Sequence, residues 1–83
     1  MGININEEAL KTPNRIATSA FIEAAIMDIE KDISFIEHRY NIKLIGDRED
    51  FEKARRDWKN YTFAQIAYAV SIWRAGIYNR YSN

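Results

Sequence analysis

The chain of 83 residues contains no cysteine, one histidine, one proline and three glycines, and its twelve basic and twelve acidic side chains cancel. Each shortage excludes something. Without cysteine there is no disulfide framework, no thiolate nucleophile and no zinc site built on sulfur, and one histidine rules out a multi-histidine site within one chain. With no net charge and a pI near 6.6 there is no global field to draw the chain onto nucleic acid or anionic lipid. The longest uncharged apolar stretch, 63–73, is far short of the roughly 20 residues a membrane-spanning helix needs. The first residues, MGININEEALK, have neither the basic start nor the apolar run of a secretory signal, and Asn6 stands where a myristoylation motif needs Ser or Thr. A cytoplasmic protein with no cofactor and no metal is expected.

What is present is helical periodicity. Ile22, Ile26, Ile29, Ile33, Ile36 and Tyr40 recur at alternating steps of four and three, a heptad-like stripe. Thr12 and Pro13 read as an N-cap followed by proline at the first helical position. Helix one is therefore expected over 13–40, preceded by an arm, 1–12, in which Asn6 to Leu10 could form one helical turn. In the link 41–46, Asn41 is a candidate left-handed terminator and Gly46 a candidate for positive φ, with Asp47 placed to cap the next helix. Phe51, Ala54, Trp58, Tyr61, Gln65, Tyr68, Ile72 and Ala75 form a second stripe of the same period, so helix two is expected over 47–80. The expected fold is a single all-α domain, 1–83. It is an antiparallel two-helix hairpin pairing Tyr40 with Phe51, Ile33 with Trp58 and Ile22 with Tyr68.

Helix two has apolar residues to spare. Phe63, Ile66, Val70, Trp73 and Ile77 form another bulky stripe about 100° or more from the first. Leaving it wet would forgo on the order of 10 kcal/mol, at about 1.5–3 kcal/mol per large side chain. A hairpin cannot cover it, so these five residues are the expected interface of a homo-oligomeric helical bundle. Gln65, a polar residue within a stripe, reads either as a device that fixes register or as a border residue reaching water.

The charges are unevenly placed. Residues 1–50 carry ten acidic and six basic side chains, and 51–83 carry two and six, so a hairpin lays an acidic helix beside a basic one. Glu23, Glu30 and Glu37 recur every seven residues and read as rim salt bridges or a solvated face, as do Asp28 and Asp32 with Arg39. Arg55, Arg56 and Lys59 form the compact basic cluster. With Arg80 they are the candidate residues for binding a partner. His38 lies one turn after Ser34, with no carboxylate placed to orient it, and nothing supplies an oxyanion hole or a phosphate loop. No catalytic residue is assigned. The expected function is non-enzymatic: an inhibitor or adaptor that binds itself and a larger protein, the type of small chain often encoded by phages and mobile elements. Two alternatives stand beside it: a nucleic-acid-associated protein using Arg55, Arg56 and Lys59, and an oligomer holding a ligand between protomers.

Overall fold

The isoleucine stripe forms a helix as expected, and its buried face organises everything else. The computed structural model describes residues 4–81. Within them the chain is all-helical: α1 (Ile5–Lys11), α2 (Ser19–Tyr40), α3 (Ile45–Arg56), a 3-10 turn (Trp58–Asn60) and α4 (Phe63–Tyr81). Ile22, Ile26, Ile29, Ile33 and Ile36 are all buried, and Phe21 and Ala25 widen the face.

Helix one is shorter than the periodicity implies, and the arm before it is more ordered. Asn4 caps α1 by accepting from the Glu7 N–H at 3.2 Å. Thr12 ends α1 instead of starting the next helix. α2 begins six residues later, where Thr18 Oγ1 accepts from the Phe21 N–H at 3.2 Å. Both threonines are competent caps; the choice is settled by partners far along the chain. The Ala17 N–H donates to Tyr61 C=O, and the carbonyls of Arg15 and Pro13 accept from the N–H groups of Phe63 and Ala64. Segment 13–17 is thus kept out of the helix, as a turn in which the Arg15 N–H donates to Thr12 C=O followed by an isolated antiparallel bridge between Ile16 and Thr62, because it satisfies the otherwise unpaired first amides of α4.

The larger correction concerns helix two. The expected helix 47–80 is broken over 57–62 into α3, the 3-10 turn and α4. Asp57 ends α3, and short bonds from Asn60 N–H to Asp57 C=O and Tyr61 N–H to Trp58 C=O tighten the chain. Thr62 and Gln65 then form a capping box: Gln65 N–H donates to Thr62 Oγ1 at 3.1 Å, and Thr62 N–H donates to Gln65 Oε1 at 2.8 Å. Gln65 is therefore a helix-start residue and not a register device. Breaking a helix here forfeits a few backbone bonds, each worth about 1 kcal/mol net. It gains the burial of a stripe worth on the order of 10 kcal/mol, so the break wins.

The break also reverses the topology. Phe21 meets Phe63 with ring centroids 4.8 Å apart, Asp32 meets Arg74, and Tyr40 stacks near Tyr81 at 5.3 Å, so α2 and α4 run parallel. Glu23 meets Arg55 and Glu37 meets Arg48, so α3 runs antiparallel to α2 between them. α1 starts beside Val70 and Asp28 and leads into the loop at the base of α4, so it too descends. The hairpin register expected from the stripes is replaced by an up-and-down arrangement of four helices within one chain, with one buried cluster drawn from α1, α2, α4 and the adjoining residues Ala17 and Leu44.

The joint between α2 and α3 was legible in the sequence in part. Asn41 adopts the left-handed conformation, φ 54°, and ends α2. Gly46 does not take positive φ; it lies inside α3, which starts at Ile45. Asp47 is accordingly in the first turn of α3 instead of capping it. The capping work passes to Glu37 of α2, whose carboxylate accepts from the Leu44 N–H at 2.8 Å and from the Arg48 guanidinium. These contacts hold the Glu37 carboxyl down at about 2 from its ordinary 4.5, the Arg48 hydrogen bond contributing most and the Leu44 amide next.

Candidate interaction surface

With α4 turned the other way round, its two apolar stripes exchange roles. Phe63, Ile66, Val70 and Ile77 are buried in the core of their own chain and Trp73 is half-buried, so the stripe assigned above to contact between copies is used within the molecule. Trp73 is held by α3: its indole N–H donates to Asp47 Oδ1 at 2.7 Å and its ring meets Phe51 edge-on at 5.4 Å. The stripe assigned to the core is the one left outside. Tyr68 is 69% exposed and Ile72 55% exposed, and Gln65, Ala69, Ala75, Gly76 and Asn79 beside them are also exposed.

These outward residues share one face, since steps of three and four at 100° per residue keep 65, 68, 72, 75 and 79 within a narrow arc. From 65 to 79, about 21 Å, the face carries no charged side chain, and Arg80 stands at its C-terminal edge. Arg74 is turned away from it: its Nε donates to Asp32 Oδ2 at 2.7 Å, and Asp32 Oδ1 accepts from the Tyr78 hydroxyl at 3.0 Å. Burial, and then the hydrogen bond to Asp32, raise the Tyr78 phenol above its usual pKa. One flank of the face is thus a polar network to α2, and the other is the Trp73–Asp47–Phe51 contact to α3.

Gly76 lies on this face, inside the helix, where glycine costs about 1 kcal/mol relative to alanine. Its φ is not positive, and a Cβ built there would meet nothing within 4 Å. Nothing in the chain itself asks for a glycine at this position. Of the other large exposed apolar residues, Leu10, Ile16, Met27, Phe35 and Ile45 are scattered over α1, the segment after it, α2 and α3, and Tyr78 of α4 is turned to Asp32. Single exposed apolar side chains of this sort are ordinary on a protein surface.

The basic candidates do not form one site. Arg55 is spent within the fold: its Nε lies 2.7 Å from Glu23 Oε1 as an ion-pair contact, and its Nη1 donates to Glu52 Oε1 at 2.6 Å. The two outer glutamates of the row spaced by seven are in this way answered by α3 arginines, Glu23 by Arg55 and Glu37 by Arg48. Arg56 and Lys59 are exposed, with the Lys59 ammonium 5.8 Å from the Trp58 ring centre. Arg80 belongs to the opposite end of α4, about 26 Å along the helix from its start, and lies over Tyr81. Ser34 and His38 are both exposed at the end of α2, and no hydrogen bond joins them.

Among the described residues no group of three or more histidine, aspartate or glutamate side chains is placed to hold a metal ion, and no helix is long and apolar enough to cross a membrane. Comparison with protein-family models, with curated proteins and with solved structures gave no match. The outer face of α4 escaped the sequence reading because periodicity shows that two apolar stripes exist and not which of them faces in. The signal that could have separated them is the Thr62-x-x-Gln65 capping box, which starts a new helix and frees it to rotate.

Proposed function

We propose that this is a non-enzymatic interaction protein that works by seating the outer face of α4 against another macromolecule. The observation that carries the reading is an uncharged face, 65–79, about 21 Å long, on which Tyr68 and Ile72 stay exposed while every large apolar side chain on the opposite face is wholly or partly covered. Continuous apolar patches of this kind mark places where a protein meets something else. Aromatic residues at their centre are the type that dominates binding energy. The nucleic-acid alternative loses support from the geometry, since Arg55 is neutralised and Arg80 lies far from Arg56 and Lys59.

The test is site-specific photo-crosslinking in the native cell. A benzophenone side chain at position 72 is expected to give a discrete crosslinked macromolecular species, and the same group at Lys53, on the exposed side of α3, is expected to give none. Absence of any crosslink from position 72, or an equal yield from position 53, refutes the reading.

A further inference from the structure

We infer that the occupant of the α4 face is a second copy of this chain, packed antiparallel about a two-fold axis that passes between the two helices at the level of Ile72. The inference rests on the reading of that face as the working surface, and it names the partner.

A two-fold contact sets a surface against itself, so any charge near its centre meets its own image. The α4 face meets that demand at its centre, since 65, 68, 69, 72, 75, 76 and 79 are all uncharged and Arg80 stands at its C-terminal edge, far from the axis. Its relief is self-complementary as well. Tyr68 and Gly76 lie four residues to either side of Ile72, Ala69 and Ala75 three, and Gln65 and Asn79 seven. An antiparallel pair centred on Ile72 therefore sets each Tyr68 ring level with the partner's Ala75 and Gly76, the bulkiest residue on the face against the two smallest, twice over.

Gly76 is the independent observation. It weakens α4, it has open space where a Cβ would stand, and no positive φ requires it. A glycine with no purpose inside the chain is accounted for when another backbone or ring approaches closely from outside. A helix pair of this length, with axes about 8–10 Å apart, buries on the order of 1,000 Å² in total, the lower end for a specific interface. The dimer is accordingly reversible, with a dissociation constant in the range of roughly 1–100 µM.

Sedimentation equilibrium over about 1–500 µM, a range that brackets that constant, reads the association. The intact chain is expected to pass from monomer to dimer across it. Gly76→Leu is expected to keep or raise the urea midpoint, because leucine favours helix and the site is open, while weakening dimerisation at least about tenfold. A wild-type chain that stays monomeric throughout overturns the inference, as does Gly76→Leu dimerising as tightly as wild type. A second variant needs no stability argument. Ile72→Cys introduces the chain's single thiol, and the dyad sets the two copies' Cα atoms about 4–6 Å apart, within disulfide reach. Rapid oxidation to a covalent dimer is expected, and a rate no faster than that of Lys53→Cys overturns the axis. If the purified chain is monomeric yet position 72 crosslinks to a different macromolecule in cells, the second-copy inference fails and the interaction reading stands. If neither assay gives a contact, both fail.

Discussion

Two isoleucines five residues apart on α4 put the inside-out placement of this helix to a direct test. Ile77 is 1% exposed and Ile72 55% exposed. Ile77→Ala removes three buried carbons worth about 0.8 kcal/mol each and leaves a cavity besides, so a loss of about 3–4 kcal/mol is expected. A chain of this length holds roughly 4–12 kcal/mol in all, at about 0.05–0.15 kcal/mol per residue. With a urea slope near 1 kcal/mol/M, the Ile77→Ala midpoint falls by about 3 M, and the variant is close to unfolded in water if the total lies at the low end. Ile72→Ala removes the same atoms from a half-wet position and gains a few tenths of a kcal/mol in helix propensity, so its change stays within about 0.5 kcal/mol. Urea titration followed by tryptophan fluorescence at about 0.1 µM protein, below the expected dimer range, compares the two. The reasoning is refuted if Ile72→Ala costs as much as Ile77→Ala. The reverse order would restore the continuous helix, in which the stripe from Phe51 through Ile72 faces the core.

Three further outcomes follow from local geometry. Glu37 has its folded-state pKa depressed from 4.5 to about 2 by Arg48 and the Leu44 amide, so its contribution to stability is complete above about pH 4.5 and is lost as pH falls towards 2. Thermal melts should therefore show a gap between wild type and Glu37→Gln at pH 6 that narrows steadily in acid; a gap independent of pH would remove the carboxylate from the α2–α3 joint. Thr62→Ala should cost about 1 kcal/mol, as a lost N-cap does, and a double-mutant cycle with Gln65→Ala should reveal coupling, whereas strict additivity would mean the reciprocal bonds are not formed. Asn41, at φ 54°, should accept Gly without loss of stability and reject Val at a cost of about 1–2 kcal/mol, because a Cβ-branched residue is strained in the left-handed region; equal stabilities by urea titration would argue against that turn.

The acidic and basic rows show how far residue spacing reaches. Glutamates at 23, 30 and 37 read as a solvated face or a rim of ion pairs, and the fold divides them: Glu23 and Glu37 meet Arg55 and Arg48 of α3, and Glu30 stays exposed. The same inspection misplaced Arg55 as a free partner-binding group, since nothing in its neighbourhood along the chain shows that Glu23, 32 positions away, reaches back to it. Trp73 is a similar case. Its spacing marked it as a residue that must be covered, while Asp47 and Phe51 of α3, which cover it, are known only from the fold.

By itself the sequence determined the helical class, the buried face of α2 and the left-handed stop at Asn41, because each depends on residues within a few positions of one another. It also determined that the last third of the chain carries two apolar stripes. Which stripe turns inward was decided by tertiary structure, with the Thr62-x-x-Gln65 capping box its one local sign. At 100° per residue the two are equivalent in period and similar in bulk. The tie is broken only when the carbonyls of Pro13 and Arg15 take up the first amides of α4 and the Thr62–Gln65 cap lets the helix restart at a new rotation. Those partners are separated by about fifty residues, a distance across which hydrogen bonds act in space and leave no trace in local pattern.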